Sequence, residues 1–232
     1  MTIKATYYLT PNAAGTAFTG TGYTPDGTVP KGAIPCTQEQ AQNFQAYVPS
    51  NGEIVAAPNA VLLAQAQAAQ KTIITKDYSD ATDYVPVTIN GTVYQVDNTP
   101  GKQALNLSLA ITANAMLQAP AWAADTDYSA GSYCSVNGVI LFCSTPGKSG
   151  SSAPTPPTTF GTPVTDGTCQ WELMGRKVYL QGGSFVYMTP QQLMSAFQQG
   201  ELYLHQMSDK LELLKAEINA ATTVTAVQTF TF

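Results

Sequence analysis

The chain has 232 residues, 44% of them apolar and 11% charged, with a formal net charge of −5, against a usual charged share of about 25%. It carries enough apolar material for one or two cores, and its surface must be made mostly of Thr, Ser, Gln, Asn and Gly, as on proteins packed in assemblies or exposed outside cells. The acidic balance excludes a basic nucleic-acid face, no apolar run approaches the roughly 18 residues of a membrane span, and MTIKATYYLTPN has no secretory apolar region, so we expect synthesis in the cytoplasm.

Residues 1–75 are expected to form a β-rich N-terminal segment. KATYYLTPNAAGTAFTG predicts two short strands around a Pro-Asn-Ala-Ala-Gly turn, anchored by Tyr7, Leu9 and Phe18. Thr37 with Gln40 has the spacing of a capping box and starts a short helix that turns Phe44 inward. NGEIVAAP predicts a strand, and the Ala/Gln-rich Asn59–Lys71 predicts a connecting helix with little to bury.

Residues 76–118 and 176–232 predict a split α+β frame. Val85–Ile89 and Thr92–Val96 flank Asn90-Gly91, the pair best suited to a two-residue type I′ turn. KQALNLSLAITANAML follows as a helix, with Leu105, Leu109, Thr112 and Met116 spaced for one face. A second strand pair sets Val178 and Leu180 before Gly182-Gly183, and Phe185 and Tyr187 after it. Thr189 as N-cap and Pro190 at the first helical position then open a long helix to about Ala221. In it Leu193, Phe197, Gly200, Leu204, Met207, Leu211, Leu214 and Ile218 recur at steps of four and three, a coiled-coil spacing. That seam packs either on its own domain or on other copies. Lys210 and Lys215 would meet across a parallel dimer, so a homo-oligomer would be a trimer in preference to a dimer.

Residues 119–175 differ from their surroundings in their density of Gly, Ser, Thr and Pro, and Trp122 and Trp171 bracket them. Asn137-Gly138 predicts a hairpin that sets Tyr133 opposite Phe142 and Cys134 opposite Leu141. Cys134 and Cys143 are then diagonal neighbours about 7–8 Å apart, beyond comfortable disulfide reach. Trp122, Tyr128, Phe142 and Trp171 are the candidate ligand residues, because aromatic faces stack on the C–H faces of sugars. The same four rings also suffice to form the core of so small a module. The loop Gly147–Pro157 is a second place for binding.

Neither a G-x-S-x-G elbow, a P-loop nor metal-ligand spacing is present. Asp166 sits in an Asp-Gly turn whose geometry explains it, and His205 is alone on a helix. No enzymatic activity, cofactor or bound metal is expected.

Three stretches resemble bacteriophage tail proteins. The order of a Tyr-Tyr strand, VPKGAIPCTQEQAQNF and NGEIVAAPN resembles the N-terminal region of tail fibre assembly proteins. Tyr94, Asp97, Thr189, Leu193, Ile218 and Ala221 resemble a domain common at the C-terminus of tail fibre proteins. Trp122, Tyr128, Gly131, Gly138, Phe142, Gly150, Pro154, Val164, Asp166, Gly167 and Trp171 are similar to chitin- and cellulose-binding-type β modules spliced into many tail fibres, with Cys169 departing from a usual β-branched residue. These resemblances imply a virion tail component, with residues 1–75 docking on other fibre or baseplate proteins and residues 119–175 an inserted carbohydrate-binding-like module facing host-surface glycan. The alternatives are a tail fibre assembly chaperone and a purely structural baseplate connector.

Overall fold

The computed structural model describes residues 6–232, so the first five residues of the N-terminal segment lie outside the described residues. The architecture is α+β, with small antiparallel sheets and one long C-terminal helix. The chain divides into two compact units, Met1–Ile74 with Leu213–Phe232, and Thr75–Glu212. The last twenty residues thus group with the N-terminal segment, where the sequence alone joins them to the frame.

In the first unit β1 (Thr6–Pro11), β2 (Phe18–Thr24) and β3 (Ile34–Cys36) form an antiparallel sheet in the order β2-β1-β3. Asn12 makes its turn, since its side-chain carbonyl accepts from the Thr16 N–H at 2.9 Å. Leu9 is fully buried and Phe18 nearly so, as their anchor role requires. Thr37 and Gln40 complete the capping box that starts α1 (Gln38–Gln42). A hairpin of β4 (Tyr47–Ser50) and β5 (Glu53–Ala56) follows.

Helix α2 (Asn59–Thr82) outruns its expected end at Lys71 by eleven residues. Thr72, Ile73, Ile74 and Thr75 are β-branched and weak helix formers, but Ile74 is fully buried, and tertiary burial overrides a propensity of a few tenths of a kcal/mol per residue. Gln67 of this helix donates through Nε2 to the carbonyls of Ile218, Asn219 and Ala221 at 3.0, 3.3 and 3.2 Å. These are orphan acceptors at the end of a helix, which otherwise need a cap or water. Gln70 holds the Phe230 carbonyl at 2.7 Å in the same way.

The second unit contains residues 119–175 together with the frame up to residue 212. β6 (Tyr84–Ile89) and β7 (Thr92–Asp97) pair around Asn90-Gly91, both with positive φ as a type I′ turn demands. α3 (Pro100–Met116) buries Ala110, Ala113 and Met116. Leu105, expected on that face, is exposed together with Leu107 and Ile111, so the inner stripe lies about one position further along than the leucine spacing implies.

β8 (Asp127–Tyr128) pairs with β11 (Gly147–Lys148), beside a four-stranded sheet of β9 (Tyr133–Val136), β10 (Val139–Thr145), β12 (Val164–Asp166) and β13 (Cys169–Leu173) in the order β12-β13-β10-β9. Cys134 faces Leu141 and Tyr133 faces Phe142, in the register set by Asn137-Gly138. All four cysteines are free thiols. β14 (Arg176–Tyr179) and β15 (Phe185–Met188) form the last hairpin, and Val178 and Met188 join Val85, Val87, Val96, Ala113 and Leu193 in the frame core.

Helix α4 (Pro190–Ala220) turns its seam inward. Leu193, Leu211 and Ile218 are buried, and Phe197, Leu204, Met207 and Leu214 are half-buried. Three positions of the stripe are therefore covered by the chain itself, and the other four keep part of their surface open. A short α5 (Val224–Val227) closes the chain, with Val227 fully buried.

Candidate functional site

Strand β10 explains how residues 119–175 are built, because its residues alternate between two apolar faces. Leu141 and Cys143 point into one cluster with Cys134, Val136, Cys169 and Trp171. Ile140 points into the other, with Met116 and Met174, and Phe142 packs against that side. A strand buried on both faces reads as a continuous apolar run, and VILFC is one.

On the first face one candidate ring, Trp171, is core, and Trp122 and Tyr128 are partly buried against it. Trp171 is fully buried, Tyr128 meets its edge at 4.7 Å between centroids, and Trp122 packs alongside. Their polar tips are satisfied internally. Asp166 accepts at Oδ2 from the indole N–H groups of Trp122 (2.8 Å) and Trp171 (3.0 Å), and at Oδ1 from the Gly150 N–H (2.8 Å). The Tyr128 hydroxyl accepts from the Ala123 N–H at 2.9 Å. An Asp-Gly pair read as a turn is thus also the buried carboxylate that orients both tryptophans. Gly167 next to it has φ +61°, and a Cβ there would lie 2.3 Å from the Lys148 carbonyl, so only glycine fits. Burial pushes the Cys134 thiol up to about 12, with the nearby Asp166 charge adding to the effect, and burial raises Cys143 and Cys169 as well.

The loop Gly147–Pro157 is anchored at its start. The buried Ser149 hydroxyl donates to the Ala123 carbonyl at 2.8 Å, and Gly150 is held by Asp166; Ser151, Ser152 and Ala153 are exposed.

The second face opens into a groove of about 410 Å³. The register sets Tyr133, Phe142 and Glu172 side by side across β9, β10 and β13. Tyr133 and Phe142 touch at 5.9 Å. Phe160, from the loop before β12, lies close enough to Gly175 that a Cβ there would come within 2.2 Å of its ring. Phe160 in turn meets Tyr187 of β15 at 5.6 Å. Tyr133, Phe142, Phe160, Tyr187, Glu172 and Arg176 therefore line one groove. Phe185 extends the ring row, edge-on to Tyr187 at 5.8 Å, and the Lys177 ammonium sits 4.1 Å over the Phe185 ring. Phe185 and Tyr187 are 49% and 45% exposed. Adjacent large rings left open to solvent on a rigid hairpin are the usual mark of a binding surface.

No family model, curated protein or solved structure matches the chain.

The candidate residues thus separate. Trp122, Tyr128 and Trp171 come together around Asp166, and Phe142 stands on the opposite face with rings that sequence reasoning missed. Phe160 lies in a loop without periodicity, so nothing local marks it. Phe185 and Tyr187 were legible as strand residues, but which side of a two-stranded ribbon faces water depends on what packs on the other side. A second, more apolar groove of about 520 Å³ lies in the frame, floored by Val85, Val87 and Val96 and walled by Phe197 and Leu204. Gly200, the empty seam position, lines that groove. Among the described residues no three His, Cys, Asp or Glu side chains come together in a way that would hold a metal ion, and no helix is long and apolar enough to cross a membrane.

Proposed function

We propose that the chain is a bacteriophage tail component, associated with the fibre or baseplate, that presents its ring-lined groove to glycan on the host surface. The observation that carries this is the groove itself: three aromatic rings, one carboxylate and one guanidinium on β-strands whose backbones are fixed by sheet pairing, with the Phe160 ring added from the loop before β12. Ring faces stack on sugar C–H faces, and Glu172 and Arg176 supply acceptors and donors for hydroxyls. The tail assignment draws its support from the resemblances of residues 1–75, of the frame and of residues 119–175. Single sites of this kind bind weakly, and several copies on one particle raise avidity without new contacts.

The test is glycan-array and titration binding with the full chain. Retention of a bacterial-surface glycan is expected, with Phe142→Ala and Tyr187→Ala each weakening it at least tenfold. Tyr187 is half exposed, so its variant should melt as the parent does. Binding that survives both substitutions would remove the groove from consideration. Mass spectrometry of purified virions separates the alternatives: presence at stoichiometric level fits an adhesin or connector, and absence returns the assembly chaperone.

A further inference from the structure

We propose that the groove takes a zwitterionic head bearing a quaternary ammonium and a phosphate, of the phosphocholine type, displayed as a substituent on the glycan. This deepens the glycan reading and rests on it for the location of the site.

The argument starts from what the lining offers. A quaternary ammonium makes no hydrogen bonds and is held by ring faces within about 6 Å together with a nearby negative charge. Tyr133, Phe142, Phe160 and Tyr187 supply the rings, and Glu172, directly across from Phe142 in the sheet register, supplies the charge. The same ring row already holds one cation of the chain itself, since Lys177 sits on Phe185 beside Tyr187. Arg176 is the complementary group. Its guanidinium recognises phosphate oxygens through paired N–H donors, and it lines the groove that Glu172 lines.

Competing ligand chemistries use only part of this set. A purely anionic ligand meets the Glu172 carboxylate. A purely cationic one leaves Arg176 without a counterpart. A neutral sugar uses the rings and hydrogen-bonds to both side chains, but brings no counter-charge to either. A volume of about 410 Å³ also exceeds what the head alone fills, leaving room for the sugar that carries it.

Calorimetric titration of the full chain with choline, phosphocholine, inorganic phosphate and N,N′-diacetylchitobiose tests this. Phosphocholine should bind at least tenfold more tightly than choline or phosphate alone. Glu172→Gln should cost choline and phosphocholine alike, whereas Arg176→Gln should bring phosphocholine down to the level of choline. Arg176 is exposed, so its variant keeps the fold even if Glu172→Gln does not. Phosphocholine binding no better than phosphate overturns the proposal. If diacetylchitobiose binds in a Tyr187-dependent way and phosphocholine does not, the zwitterion is wrong and the glycan reading stands. If neither binds, both fall.

Discussion

Removing the Asp166 carboxylate should unfold the second unit before anything else in the chain. Its two oxygens accept three N–H groups at 2.8–3.0 Å, two from indoles and one from the Gly150 backbone. Asp166 itself is 5% exposed. Hydrogen bonds to a charged group contribute about 1.5–3 kcal/mol each, and a buried donor left without a partner costs about 1–3 kcal/mol. Trp171 has no route to water, while Trp122 is only half-buried and recovers part of its loss. Asp166→Ala should therefore cost about 3–5 kcal/mol, with Asp166→Asn nearer 2 kcal/mol because one oxygen remains. For a unit of this size the larger value corresponds to a melting-point drop of about 15–20 °C. The assay is unusually direct, since the chain has two tryptophans and both donate to this carboxylate. Their emission in urea reports this cluster alone. An unchanged urea midpoint for Asp166→Ala, with both indole N–H resonances at their parent positions, would refute the reasoning.

Gly200→Ala should stabilise the frame by about 0.5–1 kcal/mol, because alanine is the better helix former and its Cβ would meet Val85 Cγ1 at 3.5 Å, an ordinary contact; a lower melting point would show the groove to be tighter than its geometry implies. Gly167→Ala should be among the most damaging single-methyl changes in the chain, since positive φ and the Lys148 carbonyl both exclude a Cβ, and soluble protein with parent-like tryptophan emission would contradict it. Stability should also fall in alkali. The Cys134 thiol is raised by burial to about 12 in the folded chain, against 9.0 when exposed. Its contribution is complete below pH about 9 and is lost as pH rises from there towards 12, at up to about 1.4 kcal/mol per unit. Urea midpoints at pH 7, 9 and 10.5 should show a steeper decline for the parent than for Cys134→Ala, and parallel curves would count against it.

Much of the fold was legible because short-range chemistry announces it. Asn90-Gly91 and Asn137-Gly138 fixed two hairpins and their registers, Thr37 with Gln40 fixed a helix start, and Thr189-Pro190 opened the long helix. Failures came where the deciding partner is remote in sequence. The β-branched run at Thr72–Thr75 is helical because Ile74 has somewhere to be buried, which local propensity does not encode. Leu105 faces water because the buried face of α3 runs through Ala110, Ala113 and Met116, a line the leucine spacing does not mark. At the site, the tryptophans were found and their role was left open between core and ligand. Asp166 went unrecognised since an Asp-Gly turn and a buried carboxylate hub share one sequence signature. The groove needed Phe160 set against Gly175, a contact between residues fifteen apart that no spacing rule anticipates.

The double-sided burial of β10 bears on where residues 119–175 could be cut from the chain. A sheet sealed on one side only could be cut out and pasted elsewhere at its two ends. Here Ile140 shares its cluster with Met116 and Met174, which flank the 119–175 stretch on the outside or at its very edge. Transplanting the piece without the last turn of α3 would leave a greasy underside facing solvent, inviting aggregation. The piece that keeps its packing intact is therefore larger than the stretch set apart by composition, and includes the end of the helix that supports it.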